Sequence, residues 1–175
     1  MSWTNALPEG KEGGAALVTV ETADDVWMDI TVRARQDISV YQALKEQGCN
    51  AVTMEVYLKA AEGTTSRFAQ IDYWAGQNGS SQGSMAIGSW VKLTFDLDKY
   101  LELLEGSSDG GVKLLWIASR NESTDGQGKV VSEKKLSEIY IRNIQVETVT
   151  DAVSFAGGTD GFFLMESSGN VPAYA

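Results

Sequence analysis

The chain reads as an all-β protein: two antiparallel sheets packed face to face as a β-sandwich, with one or two short helices. Three observations predict this. Short segments of alternating apolar and polar residues recur, clusters of Gly, Ser, Asn and Asp separate them, and only two stretches carry helical spacing. Seven or more such strands with so few helices fit a two-sheet sandwich.

The strands follow in order as ALVTVE at 16–21, WMDITVRA at 27–34, TMEVYLKA at 53–60 and FAQIDYW at 68–74. WVKLTFDL at 90–97, VKLLWIAS at 112–119 and EIYIRNIQVE at 138–147 complete the set. Their β-branched and aromatic content and their period of two favour strand over helix. DISVYQALKEQG at 37–48 predicts a short helix, with Asp37 as cap, Ile38, Tyr41 and Leu44 on one face, and Gly48 as the stop. A second short helix is expected at 97–104, while the small residues of 75–89 and 119–129 read as loops.

Parity assigns the faces. Met28, Ile30 and Val32; Met54, Val56 and Leu58; Ala69, Ile71 and Tyr73; and Val91, Leu93, Phe95 and Leu97 form the inward rows. On the opposite parity stand Trp27, Asp29, Thr31 and Arg33; Glu55, Tyr57 and Lys59; Gln70, Asp72 and Trp74; and Trp116, Ala118 and Arg120. Where these strands neighbour one another, the outer surface is a field of aromatic rings among amides, carboxylates and guanidinium groups. Trp90 and Trp3 are read as structural, and Trp27 as open to cover by a loop.

Composition narrows the chemistry. At 175 residues the chain is one domain by size and long enough to bury its own core. A single cysteine, Cys49, precludes an internal disulfide, and the lack of histidine removes imidazole bases and His-ligated metal sites. The formal charge of -10 disfavours nucleic acid and anionic membrane as partners. No apolar run reaches membrane-spanning length, MSWTNALPEG lacks the regions of a signal peptide, and the sequons at Asn78 and Asn121 read as chance matches.

Sugar rings offer apolar C–H faces and hydroxyl rims, so a glycan site needs flat aromatic platforms beside planar hydrogen-bonding groups. Trp74 and Trp116 are the candidate platforms, with Gln70 and Asp72 addressing hydroxyls. Glu55, Tyr57 and Arg120 share the polar parity, and Gln77 follows in the glycine-rich loop.

The succession of MEVYLKA, FAQIDYWAGQ, a glycine-rich loop, SWVKLTFDL, VKLLWIAS and EIYIRNIQVE resembles the jelly-roll carbohydrate-binding modules attached to bacterial plant-cell-wall glycoside hydrolases, over 16–147. That resemblance implies a non-catalytic, extracellular module, monomeric within a larger enzyme, that binds a β-glycan such as β-1,4-glucan (cellulose) or mannan. It aligns Tyr57, Gln70, Asp72, Trp74, Trp116 and Arg120 with the ligand-binding sheet face. Such modules open on a FEdGtdGW-like strand. Here Ser2, Trp3 and Thr4 stand at the start, and VSFAGGTDGFFLME at 153–166 carries the similar phrase. The segment 149–175 is therefore expected to supply a further strand or to begin a following repeat. Many relatives hold a structural Ca²⁺, but Ala156 and Arg142 fall at its ligand positions, so no calcium and no other cofactor is expected.

Two other readings compete. A β-sandwich glycosidase would need two carboxylates facing across a cleft, and Glu55 with Asp72 is the available pair. A protein-interaction or adhesion domain would also enrich Trp, Tyr and Arg on one face.

Overall fold

The computed structural model describes residues 1–21, 27–34, 36–74, 80–124, 126–128 and 130–150, with the backbone alone at 73–74, 80–82, 121–124 and 130–132. Along the chain run β1 (Ser2–Thr4), β2 (Ala15–Thr19), β3 (Trp27–Arg33), α1 (Ile38–Glu46), β4 (Ala51–Ala60), β5 (Phe68–Trp74) and β6 (Ser80–Ala86). Next come β7 (Trp90–Asp96), α2 (Leu97–Glu105), β8 (Gly111–Ala118), β9 (Arg120–Thr124), β10 (Val130–Lys134) and β11 (Leu136–Glu147). One sheet has the order β1-β2-β11-β4-β7, the other β3-β8-β5-β6, and β9 pairs with β10 as a separate hairpin. Each pairing is antiparallel. Setting aside β1 and the hairpin, the remaining strands divide between the sheets in the order of a jelly roll.

The two sheets close on one apolar interior. Met54, Val56 and Leu58 of β4 and Leu93 and Phe95 of β7 meet Ala69 and Ile71 of β5 and Leu115 and Ile117 of β8 there. Apart from Tyr73, whose side chain lies outside the described residues, the inward rows read from parity are the rows observed. Leu97 is the exception in kind: it is fully buried, but it opens α2 rather than ending a strand.

Both expected helices form. Asp37 caps α1 by accepting from the Ser39 amide at 2.9 Å, and Asp96 caps α2 by accepting from the Lys99 amide at 2.8 Å. Leu97, Tyr100, Leu101 and Leu104 give α2 a buried face at helical spacing. Tyr41 of α1 meets Tyr100 edge-on at 5.7 Å, and burial pushes the Tyr100 phenol up to about 12.

Two expected loops contain strands instead. β6 lies within 75–89, where SSQGSMA gives no hydrophobic alternation, and β9 opens the 119–129 segment and pairs back on β10. A bulge interrupts β8. Ile30 pairs with Leu115 and Thr31 with Lys113, leaving Leu114 as an extra residue. Leu114 and Leu115 are both buried, so the alternation resets and Lys113 emerges on the same side as Trp116.

Phe95 is 1% exposed at the centre of this interior. Phe95→Ala should cost about 3 to 5 kcal/mol of unfolding free energy. In urea titration this is a lower midpoint at unchanged slope, and a loss under about 1 kcal/mol would mean that the interior collapses around the cavity.

Candidate functional site: two aromatic outer faces

The predicted site residues divide between the sheets. Glu55 and Tyr57 lie on β4 in the five-stranded sheet, whereas Gln70, Asp72 and Trp74 lie on β5 and Trp116 on β8 in the four-stranded one. Alternation tells which side of a strand a residue takes but not which sheet the strand joins. The expectation of a single shared surface is therefore corrected for Glu55 and Tyr57. Because Met54 and Val56 point inward from one sheet and Ile71 from the other, Glu55 and Asp72 stand on opposite outer surfaces and do not face each other across a cleft. Gln77 lies outside the described residues, as does the side chain of Trp74.

The outer face of the five-stranded sheet is closed on itself. Tyr140, Tyr57 and Trp90 sit side by side on β11, β4 and β7, with ring centroids 6.0 Å apart for the tyrosines and 5.5 Å apart for Tyr57 and Trp90. Residues 8–12 cross this row. The Trp90 indole donates to the Pro8 carbonyl at 3.3 Å, the Lys11 ammonium stands 5.3 Å from the indole centroid, and Arg142 Nη1 donates to the Glu12 carbonyl at 2.7 Å. Trp90, read from sequence as purely structural, is thus the anchor of the N-terminal segment.

Charges on this face are also paired across strands. Glu55 accepts from Asn143 at 3.1 Å and lies 3.0 Å from Arg142 Nε and 3.4 Å from Lys11. Lys59, four residues along β4 from Glu55, pairs with Glu138 at 2.9 Å, because β11 brings Glu138 opposite it. The Tyr140 hydroxyl also donates to Glu138, and Glu147 accepts from both Lys92 and Thr53 at 2.6 Å. A calcium ion does not fit at Arg142, whose guanidinium is itself the cation bound by Glu55 and the Glu12 carbonyl. Among the described residues no three potential metal ligands cluster.

The four-stranded sheet presents a different surface. Register places Asp29, Trp116 and Asp72 in one row across β3, β8 and β5. The row beside it pairs Trp27 with Ala118 and Gln70 with Ser84. Trp116 and Trp27 are half-buried, while Asp29 and Gln70 are exposed. Asp29 forms an ion pair with Lys113, the residue that the β8 bulge turned outward. Asp72 differs: its Oδ1 is buried and has no hydrogen-bond partner. A buried carboxylate oxygen left unpaired costs about 1 to 3 kcal/mol. Arg120, at the start of β9, donates through Nη2 to the Glu21 carbonyl at 2.7 Å, while its Nε is buried without a partner.

One aromatic on this face escaped the sequence reading. Phe68 is 43% exposed and shares the parity of Gln70 and Asp72, a signal present in FAQIDYW itself. The arrangement of rings, an amide and carboxylate acceptors suits a neutral, hydroxyl-rich ligand, and the carboxylates repel anions. Neither the models of known protein families nor the curated proteins give any match to the chain.

The closed face makes stability depend on pH. The hydrogen bond from Tyr140, aided by Lys59, holds Glu138 below the ordinary 4.5, and Lys92 with Thr53 does the same for Glu147. Above that value both carboxylates are charged whether the chain is folded or not, and their bonds contribute fully. As pH falls the unfolded chain takes up protons first, so this stability declines and is gone once the native carboxylates are protonated too. Urea midpoints should drop as pH falls through about 4.5 and below, and Glu138→Gln combined with Glu147→Gln should flatten that drop. Parallel profiles for the two proteins would assign the acid sensitivity to other groups.

Proposed function

We propose that the chain is a non-catalytic carbohydrate-binding module that holds a linked hydrolase on plant-cell-wall β-glycan outside the cell. The observation that carries this reading is the row Asp29, Trp116, Asp72 on an outer sheet face, an indole directly between two carboxylates. The indole face supplies stacking for a pyranose and the carboxylates accept from its hydroxyls. A linear β-1,4-glucan or mannan fits, because it is uncharged and repeats the same apolar ring face. The resemblance to jelly-roll modules of glycoside hydrolases points the same way, and the jelly-roll strand order agrees with it.

Affinity electrophoresis through soluble β-glucan and mannan tests the reading, with calorimetry on oligosaccharides to follow. Trp116→Ala should weaken binding about tenfold or more, the usual result of removing an aromatic anchor. Asp72→Ala should weaken it about fivefold, one hydrogen bond's worth. Trp90→Ala, on the other surface, should lower the urea midpoint and leave affinity unchanged. Retardation of the wild type by neither polysaccharide, or equal retardation of Trp116→Ala, would overturn the assignment.

A further inference from the structure

We infer, resting on the glycan reading of this face, that the ligand lies along β5 and that Phe68 is a second stacking platform, which makes the site one for a linear oligosaccharide rather than a single sugar. Phe68 stands on the outward parity of β5 and is 43% exposed, whereas the apolar side chains of the inward parity, Ala69 and Ile71, are no more than 1% exposed. Trp116 lies opposite Asp72, four residues along the same strand. At about 3.4 Å per residue, Phe68 is about 14 Å from the Trp116 row, farther than one pyranose reaches.

The strip between the rings is built to stay low. Gln70 lies midway on β5, exposed, with the small Ser84 beside it on β6. Ala118 follows Trp116 by two residues on β8, and Ala86 is the cross-strand partner of Phe68. No charged residue stands on β5 between Phe68 and Asp72. A sugar chain running along the strand would stack at both ends, pass over small side chains, and meet one amide able both to donate and to accept. A single exposed phenylalanine is ordinary on a protein surface. Its place on β5, four residues from the Asp72 that pairs with Trp116, gives it a role.

The test is calorimetric titration of the wild type, Phe68→Ala and Phe68→Tyr with β-1,4-linked gluco- and manno-oligosaccharides of two to six sugars. Affinity of the wild type should rise with length. Phe68→Ala should lose about tenfold for the longest oligosaccharides while binding the shortest as the wild type does, and Phe68→Tyr, which keeps a ring, should retain the rise. Equal affinity of Phe68→Ala and wild type at every length would overturn the along-strand placement and favour a chain crossing the strands, with the glycan reading intact. A wild type that binds none of these sugars would remove both.

Discussion

The constraint on which everything else depends is the inward commitment of Met28, Ile117 and Ile71, which pair across β3, β8 and β5 and face the opposite sheet. Side chains alternate strictly along a strand, so committing that row to the interior forces the adjoining residues Asp29, Trp116 and Asp72 outward as a second row. A slip of one residue would bury two carboxylates and expose isoleucines. The energetic penalty for that exchange is large, and the outer row is therefore held in place by the core behind it. The bulge at Leu114 extends the same logic by restarting the alternation, so that Lys113 reaches the surface where Asp29 needs a partner.

The two outer faces solve the same problem differently. On the five-stranded sheet each ring has a neighbour, the carboxylates meet cations or hydroxyls across strands, and residues 8–12 lie over Trp90. Such a surface has little left to offer a ligand. Burial and Glu138 together push the Tyr140 phenol up to about 12, a sign of how thoroughly that pair is engaged. On the four-stranded sheet, among the described residues, Asp29 and Gln70 are exposed and Phe68 keeps 43% of its surface in solvent.

Much of this was legible in the sequence and some of it could not be. The alternation in TMEVYLKA, FAQIDYW and WVKLTFDL comes from packing against a core on one side only, so it identified β4, β5 and β7 and their inward residues. Asp37 marked the start of α1 through its side-chain cap, whereas the Asp96 cap of α2 emerges only in the structure. β6 was invisible because serine, glutamine and glycine carry no periodic signal, although Met85 within it is buried in the core. The separation of Tyr57 from Trp116 was equally hidden, since period two says nothing of strand order, which is set by connections far apart in the chain. Phe68 was readable but was overlooked beside the more conspicuous Trp74.

On the glycan reading, affinity and selectivity come from different residues. Stacking on Trp116 and Phe68 is insensitive to which hydroxyls a pyranose carries, because every such ring has an apolar face. The directional element is Asp72, the carboxylate paired across the strands with Trp116. Asp29 is already compensated by Lys113 and so contributes a weaker preference. Discrimination between gluco- and manno-configured chains therefore rests on whether a hydroxyl of the sugar stacked on Trp116 points across to Asp72 on β5, while the aromatic rings set how much of the chain is held.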